Sequence, residues 1–219
     1  MTLALLLLVQ TALAQPTPYE KGNGNQTTTH AACIAWYQGL AKSAPQLVRI
    51  DSVGITDSGR PLHRVVISSG GFDSATVRKN QRAVVFINNG IHPGEPDGID
   101  ASMHFARELV TQTEKRALLS QITVVIVPIY NVDGSLRRNT FTRANQNGPE
   151  AYGFRGNAQN LDLNRDFIKL DSRNAQSLVR LYRQWDPDLY LETHTTNGAD
   201  YQHVMTLIET QKDKLHPEI

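Results

Sequence analysis

His92 and Glu95 stand three residues apart in Gly90-Ile91-His92-Pro93-Gly94-Glu95, immediately after the apolar run Ala83-Val84-Val85-Phe86-Ile87. An imidazole and a carboxylate leaving the end of a strand can hold a metal ion. Zinc accepts a neutral imidazole nitrogen and a carboxylate oxygen, and a catalytic zinc site uses three protein ligands with the fourth position open to water. A third ligand is therefore expected. His194 offers one, in Leu189-Tyr190-Leu191-Glu192-Thr193-His194-Thr195, where a second apolar run passes into polar residues. Between the two lies Asn160-Leu161-Asp162-Leu163-Asn164-Arg165-Asp166-Phe167, a polar cluster with an arginine. A strand-end histidine taken alone is more often a hydrogen-bonded turn residue than a ligand, and it is the combination that argues for the metal.

Such ligands need a scaffold. The chain has 219 residues and 40% apolar composition, long enough to bury a sizeable core in one domain. Apolar residues at helical spacing predict a helix over 31–43, and Leu47-Val48-Arg49-Ile50 and Leu62-His63-Arg64-Val65-Val66-Ile67 predict a hairpin about the turn residues of 56–61. Strand and helix then alternate: strand 82–90, helix 97–112, strand 122–130, helix 172–185, strand 188–193. Ala101, Phe105, Ala106 and Leu109 are expected on one face of the first of these helices, and Leu178, Leu181, Tyr182 and Trp185 on one face of the second. Alternation of this kind implies crossover connections and an α/β fold, a mixed, largely parallel sheet with helices on both faces. Ligand groups in open α/β sheets gather beyond the carboxyl ends of the strands, where His92, Glu95 and His194 fall. Residues 131–160 have no clear periodicity and read as a long irregular loop, of the kind that is usually functional or disordered.

Residues 1–14 have the apolar core and the Ala12-Leu13-Ala14 ending of a signal peptide cleaved before Gln15, which implies export to a periplasmic or extracellular location. The competing reading is a buried N-terminal helix. A bilayer span takes about 20 apolar residues, so no stable membrane insertion is expected after signal removal. Residues 15–30, rich in Pro, Gly, Asn and Thr, are expected to form an irregular leader. The net charge of +1 and the lack of any basic run longer than Arg137-Arg138 argue against a nucleic-acid partner. The single cysteine, Cys33, cannot close an internal disulfide and reads as a packing residue.

The motifs and their order resemble the zinc carboxypeptidase family, of the carboxypeptidase A and B type. The likeness runs from about Tyr37 onward, so that 31–219 is expected to be the N-terminal part of a three-layer α/β/α carboxypeptidase-like catalytic domain. It implies one Zn2+ held by His92, Glu95 and His194, and Asp162 as the carboxylate that accepts a hydrogen bond from the first imidazole and fixes its tautomer. Asn164 and Arg165 match the pair that binds the free C-terminal carboxylate of a peptide or protein substrate, a task suited to the guanidinium fork. Arg143 matches the arginine that polarises the scissile carbonyl and steadies the oxyanion, with Arg137, Arg138 and Arg155 in the same irregular stretch. Arg165 reads alternatively as an ion-pair partner of Asp162 or Asp166. Glu192 reads as a strand residue with a satisfied carboxylate, and the remaining histidines, His30, His63, His104, His203 and His216, as non-ligands.

The family's general-base glutamate lies well beyond the second histidine. Only the 25 residues from Thr195 to Ile219 follow His194, and neither Glu209 nor Glu218 resembles that motif. The chain is therefore expected to be an incomplete catalytic domain, short of its C-terminal part. The activity implied is metallocarboxypeptidase hydrolysis of C-terminal peptide bonds. A zinc-dependent deacylase, a cell-wall peptide hydrolase of the same fold, or a non-catalytic module that captures carboxylate-bearing peptides are the alternatives.

Overall fold

The computed structural model describes residues 15–144, 146–196 and 202–203. The expected signal peptide at 1–14 lies outside the described residues, as do His216, Glu209 and Glu218. Among the described residues five strands form one mixed sheet in the order β1-β2-β4-β3-β5. They are β1 Val48–Ile55, β2 Pro61–Ile67, β3 Ala83–Asn88, β4 Ile122–Val127 and β5 Leu189–Glu192. β1 and β2 form the antiparallel hairpin, β2 lies antiparallel to β4, and β3 runs parallel to both β4 and β5. The sequences Ala83-Val84-Val85-Phe86-Ile87 and Ile122-Thr123-Val124-Val125-Ile126-Val127 are near-continuous β-branched or aromatic runs, as strands covered on both faces require.

Two apolar clusters show that both faces are covered. On one, Val65, Ile67, Ile87, Val124 and Ile126 pack against α2 (His30–Ser43) and α4 (Asp97–Thr111), which follow the short α1 (Pro18–Lys21) and α3 (Ser74–Lys79) in chain order. On the other, Val66, Val84, Phe86, Val125 and Val127 meet Leu178, Leu181 and Trp185. Those three belong to the last helix, Arg173–Trp185, which α5 (Thr113–Ala117) and α6 (Val132–Ser135) precede, making it α7. The result is the expected α/β/α layering.

Local chemistry sets the ends. Thr29 caps α2 by accepting from the Ala32 N–H at 3.2 Å, and Ser172 caps α7 by accepting from the Ala175 N–H at 3.0 Å. Asp97 and Asp100 sit in the first turn of α4, where carboxylates complement the helix dipole. Asp186 closes α7 in the left-handed conformation at φ 45°, and the side chain of Asp188 then accepts from the Val84 N–H at 2.7 Å, delivering the chain onto β5 beside β3.

Three expectations shift in detail, and one short helix was not expected. The apolar face of α4 is Ile99, Met103, Ala106, Leu109 and Val110, while Ala101 points to solvent and Phe105 is half-buried; the stripe is rotated because Ile99 and Met103 carry more apolar area than Ala101. Tyr182 of α7 is 40% exposed rather than in the core. The six-residue α3 lies in a stretch with no clear periodicity, and is held by Asp73, which accepts from the Thr76 N–H at 2.9 Å. The leader is partly ordered: Thr17 and Glu20 form a capping box around α1, Glu20 takes two 2.6 Å hydrogen bonds from Arg107 of α4, and Thr27 and Thr28 donate to buried Asp100.

Candidate metal centre

Parallel register brings the carboxyl ends of β3 and β5 together, with Asn88 paired to Glu192. Each strand then leads into a loop that carries a ligand candidate. After β3 the chain turns sharply through Gly90 at φ 66°, a conformation that favours glycine. The Glu95 N–H bonds the His92 carbonyl at 2.8 Å, closing a tight turn that aims both side chains at one point. After β5, the Thr193 N–H bonds the Asn88 carbonyl at 3.2 Å and its hydroxyl donates to the Asn89 side chain at 2.9 Å, fixing the backbone just ahead of His194.

The three side chains converge. One ligand atom from each of His92, Glu95 and His194 lies within 4.8 Å of the others. The imidazole rings are 5.2 Å apart at 56°. His92 and Glu95 are 2% and 3% exposed, whereas the His194 side chain is 35% exposed, leaving one side of the cluster open.

The hydrogen bonds around the cluster test whether an ion fits. His92 Nε2 bonds Asp162 Oδ1 at 3.0 Å, which leaves Nδ1 buried without a hydrogen-bond partner and 3.3 Å from Glu95 Oε1. A buried nitrogen in that state has lost water and gained nothing in return. A divalent ion held by His92 and Glu95 would supply the missing partner. His194 repeats the pattern: its Nδ1 faces Glu95 Oε2 at 2.9 Å and its Nε2 faces Glu192 Oε2 at 3.2 Å.

The charge balance points the same way. Hydrogen bonds to Glu192 and Glu95 raise the His194 pKa to about 9, so this position favours positive charge. Burial works to raise the pKa of Glu95, but its hydrogen bonds with His194 and the Thr195 N–H, with the His92 ring close by, overcome it and hold the carboxyl well below its usual range. Burial likewise opposes ionisation of Asp162, and its bonds with His92, the Asn164 N–H and Arg155 prevail and lower its pKa. The carboxylates remain anionic and available.

Two guanidinium groups border the cluster. Arg143 Nη1 donates to Glu95 Oε1 at 2.8 Å, and its side chain is 10% exposed. Arg155 Nε donates to Asp162 Oδ2 at 2.9 Å and its Nη1 lies 3.6 Å from Glu95 Oε1. The long 131–160 stretch, largely irregular as expected, positions both through a bridge between Asn139 and Tyr152 and through α6. Gly134 in α6 is closely approached: a Cβ there would meet the Phe154 carbonyl and sit 2.8 Å from the Gly156 carbonyl.

Asn164 and Arg165 fall in a short 3-10 turn after Asp162. The Arg165 side chain is exposed, donates to the Asn164 carbonyl at 2.7 Å, and makes none of the contacts within the cluster. Neither alternative ion pair forms: Asp162 pairs with Arg155, and Asp166 accepts from the Asp171 N–H and from the Ser172 N–H and hydroxyl. Sequence reasoning gave Arg155 no role of its own, since nothing local joins it to Glu95, and read Glu192 as a strand residue with a satisfied carboxylate, without its contact to His194. The two-residue period of β5, which puts Tyr190, Glu192 and His194 on one side, is the signal that could have found the latter.

A family model described as zinc carboxypeptidase matches residues 33–212. The chain belongs to the zinc carboxypeptidase family. Relatives include carboxypeptidase B of Astacus astacus, 27% identical over 101 residues that cover 46% of this chain and 31% of that protein. Carboxypeptidase A6 of Mus musculus is 29% identical over 140 residues, covering 61% of this chain and 30% of that protein. The chain thus spans about a third of the length of these relatives. Among solved structures, the carboxypeptidase A from Helicoverpa armigera superposes with a TM-score of 0.64 at 20% identity, over 88% of this chain and 53% of that one. A metallo-carboxypeptidase from Burkholderia cenocepacia gives 0.62 at 19% identity, over 80% and 43%. These two show the shared fold; the family model that matches is a zinc one, and among the described residues His92, Glu95 and His194 form a group that could hold a metal ion.

A cavity of about 810 Å³ opens beside the cluster, its walls including Glu20, Gln26, Asp97 and His104. It reaches the ligand loops at Gly94 and Thr195 rather than the three ligands themselves. No helix among the described residues is long and apolar enough to cross a membrane.

Proposed function

We propose that this chain is the metal-binding part of an exported zinc metallocarboxypeptidase that hydrolyses the C-terminal peptide bond of peptides or proteins. The observation that carries the reading is the buried, unpartnered Nδ1 of His92 facing Glu95 and His194, with Nε2 committed to Asp162. His92, Glu95 and His194 hold one Zn2+. Bound there, zinc supplies Lewis-acid polarisation of a carbonyl and lowers the pKa of water to roughly 7. Everything else falls to the protein.

Asp162 holds the His92 ring in the tautomer that presents Nδ1 to the metal. Arg165, exposed and bonded only to a neighbouring carbonyl among the described residues, is free to receive a substrate carboxylate in two parallel hydrogen bonds, with Asn164 beside it. Arg143, anchored to Glu95 next to the open side, supplies positive charge where an oxyanion develops. The cavity that meets Gly94 and Thr195 has room for the peptide upstream of the scissile bond. We assign no general base within the described residues. The apolar segment 1–14 with its Ala12-Leu13-Ala14 ending supports export.

Metal analysis of the purified full-length product, combined with release of free amino acids from matched peptides with free and amidated C-termini, tests this reading. One zinc per chain and cleavage confined to the free C-terminus are expected. Equal cleavage of both peptides sinks the exopeptidase assignment. Activity on acylated amino acids or muropeptides alone transfers the site to a deacylase or cell-wall hydrolase.

A further inference from the structure

Glu192 has no role in the function proposed above, yet its carboxylate is bound on three sides at the edge of the metal cluster. Oε2 lies 3.2 Å from His194 Nε2, while Oε1 accepts from the Asn88 side-chain amide at 3.0 Å and from the Tyr190 hydroxyl at 3.2 Å. The Asn88 amide also donates to the Tyr190 oxygen at 3.1 Å, so the three groups form a closed triangle. Asn88 and Glu192 are direct partners in the parallel β3–β5 register. Tyr190 stacks on Phe86 with centroids 5.7 Å apart, seating the triangle on the apolar core.

From this geometry we infer that Glu192 is a positioning residue for the metal, the counterpart on β5 of Asp162. An imidazole has two ring nitrogens, and a hydrogen bond at one decides which lone pair the other presents. Asp162 takes Nε2 of His92 and Glu192 takes Nε2 of His194, so both rings turn Nδ1 toward Glu95. The two carboxylates come from different parts of the chain, a loop residue for the first ring and the ligand's own strand for the second. Glu192 meets the His194 ring at Nε2, while Nδ1 faces Glu95. It therefore acts through the histidine and is no substitute for a general base at the reacting atoms. Its three contacts also explain why a glutamate ends a strand whose exposed residues are Leu189 and Leu191.

The inference rests on the zinc reading, and the test separates the two. Zinc affinity is measured by competition with a chromogenic chelator for the wild type, Glu192→Ala, Glu192→Gln and His194→Ala. The visible absorption of each Co2+-loaded protein and urea unfolding of each metal-free protein accompany it. Loss of an orienting partner weakens metal binding about 10- to 100-fold. Glu192→Ala is expected to show that loss with altered cobalt bands, in excess of any lowering of the metal-free unfolding midpoint that follows from stranding the Asn88 and Tyr190 donors. Glu192→Gln keeps an oxygen for the Nε2 proton and is expected to recover most of the affinity. If Glu192→Ala binds zinc within twofold of wild type with an unchanged cobalt spectrum, the positioning role is overturned. It is equally overturned if both variants lose affinity only in step with lost stability of the metal-free fold. A wild type that binds no zinc removes the metal reading itself and this inference with it.

Discussion

The two aspartates of Asp162-Leu163-Asn164-Arg165-Asp166 sit four residues apart, and the structure gives them separable tasks. Asp162 accepts from His92 Nε2 at 3.0 Å, the Asn164 N–H at 3.0 Å and Arg155 Nε at 2.9 Å, all in the rim of the metal cluster. Asp166 accepts from the Asp171 N–H at 2.8 Å, the Ser172 N–H at 2.9 Å and the Ser172 hydroxyl at 2.6 Å, and so organises the start of α7. Replacing Asp162 by Ala frees the His92 ring to rotate, and zinc affinity is expected to fall about 10- to 100-fold, roughly 1.4 to 2.7 kcal/mol. The Arg155 pair accounts for little of the metal-free fold's stability, because its side chains are 39% and 27% exposed and exposed pairs contribute about 0 to 1 kcal/mol. Replacing Asp166 by Ala does the reverse: Asp166 is 4% exposed, and stranding its buried donors costs about 1 to 3 kcal/mol of folding stability. Zinc affinity of the folded fraction stays at the wild-type value. Chelator-competition titration reads the first quantity and urea unfolding of the metal-free protein the second. An Asp166→Ala protein that loses more zinc affinity than Asp162→Ala would falsify the division of labour.

In the full-length enzyme, Arg143→Ala is expected to lower kcat about 10²- to 10³-fold, the usual cost of one oxyanion donor, and more than Arg155→Ala does; the opposite ranking in steady-state assays moves that role to Arg155. Burial, with His63 and Arg60 nearby, lowers the His30 pKa from 6.5 to about 4, and burial also lowers that of His63. The unfolded chain therefore binds these protons first, so their contribution to stability is full above pH 6.5 and is lost as pH falls toward 4. Thermal melts of the metal-free protein should show a shallower fall across that window for a His30→Gln/His63→Gln variant than for wild type; identical slopes refute the assignment. Gly134→Ala forces a methyl into carbonyls of 154 and 156 and is expected to cost about 1 to 3 kcal/mol, read as a lowered urea midpoint, with no change pointing to an unrecognised relaxation of the loop.

Much of the scaffold was legible because it rests on local rules. The β-branched runs of β3 and β4 allow few alternatives, and α2, α4 and α7 lie within a residue or two of the spans their periodicity predicts. The three ligand candidates were legible because each leaves an apolar run, and parallel pairing of β3 with β5 sets those exits side by side. What stayed hidden depends on distant contacts. Arg155 reaches Glu95 only because the loop folds back under Gly134, and no residue near either one encodes that approach. The leader reads as irregular because its order comes from Arg107 and Asp100, which lie in α4. Ala101 was misplaced because the periodicity of α4 admits two stripes about one residue apart, and only packing against the sheet chooses between them.

Among the described residues the short strand β5 has one neighbour in the sheet, β3, and Leu189 and Leu191 are exposed. An ion gripped by residues on the extensions of both strands is therefore also a fastener across that seam. Whatever binds only the folded arrangement strengthens it by mass action. Chelation should let the 189–194 backbone amides exchange with deuterium sooner than those of β4, which lie at the centre of the sheet. The β3–β5 seam and the proposed metal centre would then share one source of cohesion.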